Sequence, residues 1–482
     1  MRGLPVARGS IGIPIDLEQH EARGVVVAPQ KFEPRDAGLQ NAVAGVFQRC
    51  PQERVEKLGL YPYFHMNDQH RLYFIIIQAP QLSFKLDAYS SFRHRDYRLL
   101  LTGNFVSSFG LQMLSVAVSW DLYVQTKSAL VLGNVGFVQV APFLLFALFA
   151  GSLADRLDRR RILIVTQGLF LLSSALLILG FRSVATVYAC LFLTAAARAF
   201  QWPARLSVLP HTVPAENLGN AIAWNSSAQE IASISGPGLA GILLASVGSR
   251  TVYVLQAGCA ILTLICYTLI RYRGEAASEL ATRNTRSLLE GMRFVRDNKL
   301  ILSAISLDLF AVLFGGATAL LPIYAVDILH VGARGLGWLR AAPSVGSVTM
   351  ALTLAHSRKI RQAGRVLLWA VAGFGAATMV FGISHSFWLS FGMLLLIGAF
   401  DNISVVLRQS LVQRETPDHV KGRVMAVNGM FISSSNQFGA VESGWTAAWF
   451  GAVTSVVAGG AAAIVVVALC AALSAPLRNW KQ

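Results

Sequence analysis

Charge is scarce in this chain: Asp, Glu, Lys and Arg make up only 14% of its 482 residues, where a soluble domain carries roughly 25%. That shortage excludes an ordinary soluble protein, because too little polar surface remains to cover an interior of this size. Cysteine is sparse as well. Cys50, Cys190, Cys259, Cys266 and Cys470 share no metal-ligand spacing and form no disulfide framework, so no metal site is expected. Most of them sit in apolar runs, where a free thiol packs as a small hydrophobe. A Gly-rich phosphate loop of the Walker type, HExxH and GxSxG are all missing. Their absence argues against ATP as an energy source and against hydrolytic catalysis, so no enzyme and no cofactor are expected. No charged stretch followed by an apolar core and small residues opens the sequence, and no cleavable signal peptide is expected.

What the chain has instead is apolar runs of about 20 residues between short charged clusters, the pattern of bilayer-spanning helices. Hydrophobic residues reach 54%. Twelve spans can be drawn, near 99–124, 129–153, 162–181, 184–204, 218–246, 251–270, 300–329, 335–356, 366–384, 387–412, 424–449 and 452–475. The expected fold is therefore all-α and polytopic, surrounded by the lipid bilayer. Upstream, the run Leu72–Ile77 before Pro80 is too short to cross a membrane. Residues 1–91 mix Pro, Gly and charge without a sustained period and read as a largely disordered, dispensable extension, with Met66 as an alternative start.

Basic residues fix an expected orientation. Arg156, Arg159, Arg160 and Arg161 follow span 2, a basic stretch from Arg271 to Lys299 follows span 6, and Arg358, Lys359, Arg361 and Arg365 follow span 8. The opposite loops offer little more than Lys127, Arg182, Arg250 and Arg334. The positive-inside rule then puts both termini in the cytoplasm, in the inner or plasma membrane. Headgroup-level basic clusters also account for the net charge of +16 without nucleic acid as a partner.

Two copies of one pattern lie 203 residues apart. Pro214 falls on Pro417, Gly219 on Gly422, Asn225 on Asn428, Gly236 on Gly439 and Gly241 on Gly444, with Arg205 on Arg408 upstream. A half-length repeat inside an apolar chain predicts two pseudo-symmetric six-helix halves with a substrate site between them.

The segment Gly151-Ser152-Leu153-Ala154-Asp155-Arg156-Leu157-Asp158-Arg159-Arg160-Arg161 resembles the signature loop of the major facilitator superfamily, with Asp158 where the family has a second glycine. Gly236-Pro237-Gly238-Leu239-Ala240-Gly241 is similar to the span-5 motif of the family's antiporters, and Arg198 with Gln201 and Pro203 to its span-4 arginine motif. Ala319–Ala325 and Thr416-Pro417 with Gly422-Arg423-Val424 resemble the branch of enterobactin exporters and macrolide efflux pumps. The resemblance implies the major facilitator fold, with 92–271 and 300–482 as the halves and 272–299 as a cytoplasmic central loop. It also implies a gating role for Gly151, Asp155, Arg156, Arg159 and Arg160, with Asp155 pairing to Arg159 or Arg160 as a latch. In span 5, Ala232, Gly236 and Ala240 would let another helix approach closely, and Pro237 favours a kink.

Ionisable groups inside spans are costly unless they face the protein interior, which makes Arg198, Glu230, Asp308, Asp401 and Glu442 the transport and proton-coupling candidates, with Asp121 nearer the end of span 1. Neutral polar company comes from Asn104, Gln112, Asn225, Gln229, Asn402, Asn436 and Gln437. Desolvation disfavours the charged form of a buried carboxylate, the property needed to couple proton entry to substrate exit. The leading expectation is a monomeric secondary exporter of a drug, macrolide or siderophore-like molecule, driven by proton antiport. Uptake or facilitated diffusion is the alternative within that class, and a non-transporting membrane sensor is the alternative outside it.

Overall fold

The computed structural model describes the backbone of residues 25–27, 60–66 and 72–78, and residues 88–482 apart from 157, 180–182, 272–284, 358–359, 361 and 481–482. Side chains at 143, 147–156, 285–289, 418–419 and 433 also lie outside the description. The chain divides into two units, Met1–Ala88 and Tyr89–Gln482.

In the first unit, β1 (Val25–Val27), β2 (Leu60–Met66) and β3 (Leu72–Gln78) form one antiparallel sheet in the order β1-β3-β2. The register pairs Leu60 with Gln78, Met66 with Leu72, and Val25 with Ile77. The expectation of an irregular extension left these strands out. It weighed 72–77 only as a membrane span, although three consecutive isoleucines favour a strand. Pro62 is tolerated because β2 is an edge strand.

The second unit is helical. Its long helices are α1 (Arg95–Thr126), α2 (Ala129–Arg156), α3 (Arg159–Ile178), α4 (Val184–Val208), α5 (Leu218–Ser246), α6 (Ser249–Leu269), α7 (Lys299–Phe314), α8 (Gly332–His356), α9 (Ala363–Ile383), α10 (Phe387–Glu415), α11 (Asp418–Phe450) and α12 (Ala452–Leu473). Each coincides with one expected span. After Gly315 and Gly316, the seventh span continues as short helical pieces, Ala317–Leu320 and Leu321–Ile323, and a π-helical turn, Tyr324–Ile328. Among the described residues, nine helices are long and apolar enough to cross a membrane. The three others, α5, α8 and α11, carry the glycine and polar residues discussed below. The stretch expected as a central loop includes an amphipathic helix, Thr285–Asp297, which lies on α11 through an ion pair between Glu290 and Arg423.

Two halves are related element by element. In the first, α1 packs on α5 and α6, α4 on α2 and α3, and α3 on α6; in the second, α7 packs on α11 and α12, α10 on α8 and α9, and α9 on α12. Advancing every helix number by six turns one set into the other. The same exchange swaps the two joints between halves, α5 with α8 and α2 with α11. Turn conformations follow suit. Among the described residues, Lys127 and His330, 203 residues apart, are the positive-φ non-glycine residues, at 51° and 52°. Gly248 and Gly451, the same distance apart, adopt φ of 90° and 87° at the α5–α6 and α11–α12 turns. The repeat in sequence is thus a repeat in space.

Glycines set the joints. A Cβ at Gly133 of α2 would lie 2.8 Å from Cα of Gly444 on α11, and one at Gly241 of α5 would lie 2.7 Å from Cα of Gly337 on α8. No side chain fits in either gap, so the helix backbones touch. Gly236 serves a different contact, since its Cβ would meet Cβ of Gln112 at 2.8 Å and the Phe109 carbonyl at 3.0 Å, both on α1. The span-5 motif therefore holds α5 to its own half through Gly236 and to the other half through Gly241.

Candidate functional site

The chain builds its site from the helix faces left over after packing. On α4, Ser173 of α3 donates to the Cys190 carbonyl at 3.3 Å, and Tyr188 donates to the Val131 carbonyl of α2 at 2.8 Å. Arg205 donates to the Tyr267 hydroxyl of α6 at 3.2 Å and to the Asn104 carbonyl of α1 at 3.4 Å. The stripe between the α1 and α2 sides carries Arg198, Trp202 and Leu206, spaced four apart and all exposed. Both α1 and α2 border the other half, so this stripe faces the cleft between halves. Among the described residues Arg198 has no hydrogen bond or ion pair.

On α5 the neutral polar residues are used up inside the half. Asn104 donates to Asn225 at 2.9 Å, Ser108 to Gln229 at 2.7 Å, and Gln112 to Ser233 at 3.0 Å. These pairs step four residues at a time along both α1 and α5 and zip them together. Glu230 lies on another face. It precedes Pro237 by seven residues and Gly241 by eleven, both near whole turns, and so points along the stripe that meets α8. The side chain is exposed where the halves diverge.

The second half holds a buried charge cluster. Arg408 of α10 pairs with Asp308 of α7, with side chains 1% and 6% exposed. Asp308 and Asp401 line one small cavity of about 10 Å³ together with Ala311, Val312, Val371, Phe374, Phe400 and Ser404. Asn402 next to Asp401 donates to Ser347 of α8 at 3.0 Å. Nε and Nη2 of Arg408 are buried without partners. The repeat maps Arg408 onto Arg205 and Asp401 onto Arg198. On α1, Arg205 meets only the Asn104 backbone carbonyl, and the register sets Phe105 opposite Asp308, so the first half holds no counterpart of the Arg408–Asp308 pair.

Among the described residues, hydrogen bonds between the halves gather at the end bearing the α1–α2 turn. Tyr123 and Lys127 both reach Asp327, Lys127 at 3.2 Å. Arg340, held in its own half by a 2.9 Å bond to the Thr318 carbonyl, donates across to Ser115 at 3.2 Å, and Trp445 donates to Asn134 at 3.1 Å. With the glycine contacts, they seal this end. At the opposite, arginine-rich end, Trp202, Leu206 and Ile222 stand 65%, 56% and 49% exposed, and we read the cleft as open there.

The sequence candidates divide accordingly. Arg198 and Glu230 stand exposed on α4 and α5, while Asp308 and Asp401 share the cavity beside Arg408. Asp121 instead accepts a hydrogen bond from Tyr253 of α6 at 2.8 Å, a joint inside the first half. Glu442 lines an open apolar groove of about 540 Å³ between α7 and α11 with Phe438, Trp445 and Trp449. In the signature loop, the side chains of Gly151, Asp155 and Arg156 lie outside the described residues, and with them the expected latch. Arg160 bonds the carbonyls of Tyr267 and Thr268 at the end of α6, where a cation suits exposed carbonyls. Asp158, which stands where the family has glycine, caps α3 by accepting from the Arg160 amide at 2.9 Å. Sequence reading missed Arg340 and Asp327, and noted Arg408 only as a repeat position. The rule that flagged Arg198, a charge deep in an apolar run, would have found Arg340 and Arg408 too.

Residues 86–482 match the family model described as transmembrane secretion effector. Among curated proteins, the chain is 26% identical to the enterobactin exporter EntS of Citrobacter koseri, over 81% of this chain and 94% of that one. It is 26% identical to the multidrug efflux pump Tap of Mycolicibacterium fortuitum over 72% and 88%, and 23% identical to the staphyloferrin A transporter of Staphylococcus aureus over 68% and 82%. The fold matches a D-xylose-proton symporter (TM-score 0.60, 16% identity, 80% of this chain and 99% of that one). It also matches an inward-facing, occupied bacterial homolog of the human lysosomal transporter Spinster (TM-score 0.62, 15% identity, 81% and 98%).

Proposed function

Because the chain belongs to the transmembrane secretion effector family of the major facilitator superfamily, we propose that it exports a small organic molecule by alternating access, coupled to proton entry. It is a multi-pass membrane protein, and we read the arginine-rich end as cytoplasmic. The observation that carries this reading is the asymmetry of the cleft: sealed at the α1–α2 end, open at the arginine-rich end, with Arg198, Trp202 and Glu230 on its walls. Such an arrangement loads cargo from the cytoplasm. An exposed cation beside an exposed indole suits an amphipathic or aromatic cargo with an anionic group. Relatives named as a siderophore exporter and a multidrug pump support the direction.

The test is transport by the purified protein in proteoliposomes with an imposed pH gradient, using ethidium, erythromycin and a catechol siderophore as probes. At least one probe should move several-fold faster than in protein-free liposomes, and faster with the gradient than without. Movement indifferent to the gradient would remove proton antiport and leave facilitated diffusion. If no probe moves, the exporter reading fails and the sensor alternative stands.

A further inference from the structure

We propose that Asp308, Asp401 and Arg408 form one proton site in the second half, a cluster that holds a single exchangeable proton and lets Arg408 change carboxylate partners. The proposal deepens the antiport reading above and rests on it for its physiological meaning, though not for its chemistry.

The composition of the cluster comes first. Two carboxylates line one small, mostly apolar cavity that also takes in Ser404, and the Arg408 guanidinium is paired to one of them, Asp308. An uncompensated charge in such a site is strongly disfavoured. Two acids and one guanidinium balance only when one proton is also present. The other ionisable groups on the surrounding helices are elsewhere. Lys299, Arg334, His356, Arg365 and Arg414 are exposed at helix ends, and Glu415 accepts from Trp480. Arg340 and Arg423 have their own partners, Lys421 sits in the first turn of α11, and Glu442 lies in the groove. No Asp, Glu, Lys, Arg or His occurs on α12. Among the described residues, nothing else on these helices supplies the missing positive charge.

Geometry supplies the exchange. Arg408 reaches Asp308 through Nη1 alone, and its buried Nε and Nη2 have no partner. Asp401 is seven residues earlier on the same helix, hence on the same face and about 10 Å along the axis. Helical side chains lean toward the N-terminus, so Arg408 leans toward Asp401. With the proton on Asp401, Arg408 serves Asp308 and ties α10 to α7. When that proton leaves the Asp401 oxygen for water in the cleft, the new carboxylate competes for Arg408 and the tie between the helices loosens. Asp401 is only partly covered, which gives the proton a way out. The first half has no such site: the 203-residue register sets Phe105 in the place of Asp308 and Arg198 in that of Asp401.

Infrared spectroscopy of the full chain in nanodiscs tests this without any cargo. The wild type should show a carboxylic-acid C=O band at neutral pH that Asp401→Asn removes. Asp308→Asn should remove the same band, because the remaining carboxylate then balances Arg408 without a proton. Neither variant leaves an unpaired charge, so both should fold. Persistence of the band in both variants, or its loss in Asp401→Asn alone, would overturn the single-proton cluster. Failure of wild-type transport with these infrared results intact would instead count against the exporter reading.

Discussion

Replacing Arg408 with methionine should destabilise the folded protein by about 3–5 kcal/mol, the usual cost of stranding the partner of a buried ion pair. The pair is among the most enclosed charges in the molecule, with Arg408 1% exposed. Removing the guanidinium leaves Asp308 and Asp401 facing one cavity with no counter-charge. The loss should appear as a markedly lower midpoint when thermal unfolding of the purified protein is followed by near-ultraviolet circular dichroism. Combining Arg408→Met with Asp308→Leu should recover much of that loss, because an apolar pair of similar volume is often neutral or better. By contrast, Asp327→Asn should change the midpoint little, since Lys127 and Asp327 are about half exposed and such pairs contribute roughly 0–1 kcal/mol. A midpoint unchanged by Arg408→Met would mean that the pair is not buried in the working protein.

Gly444→Val should abolish transport while leaving the protein membrane-inserted. The new side chain would meet the backbone of α2 at Gly133, where the helices touch without intervening atoms. Overpacking of this kind costs about 1–3 kcal/mol, and here it is charged only to the state in which the α1–α2 end is closed. A shift of that size lowers the closed-to-open ratio roughly 5- to 150-fold. Gly241→Val at the repeat-related α5–α8 joint should behave the same way. The check is labelling of a single cysteine at Ser115 by a membrane-impermeant maleimide, which should rise in both variants. Gly219 has no neighbour within 4 Å, so Gly219→Ala serves as the silent control.

The architecture was legible because its signals are repetitive. Twelve apolar runs gave twelve helices, and a register of 203 residues predicted turns with the same backbone angles in both halves. The site was legible only in part. Charge inside a span marks a residue as special, but not which face it occupies. Arg198, Glu230 and Asp121 looked alike in sequence, and helix phase left the first two exposed and turned the third to Tyr253. Neutral residues misled more. Asn225 and Gln229 read as lining for a polar site, yet the structure spends them on the α1–α5 seam. Glycines in the span-5 motif looked like one stripe, although two different helices use them. The strands β2 and β3 were missed because a short apolar run was judged only against membrane thickness.

Alternating access is tested most directly by a pair of spin-label distances in one reconstituted protein. One pair, Leu206 on α4 and its repeat partner Gln409 on α10, spans the open end; the other, Gln125 and His330, spans the sealed end. Lowering the pH across the range in which the Asp401 cluster takes up its proton should change the two distances in opposite directions, with each end opening as the other closes. Distances that stay fixed at every pH and with every probe, or that lengthen together, would contradict a two-state transporter built from these halves.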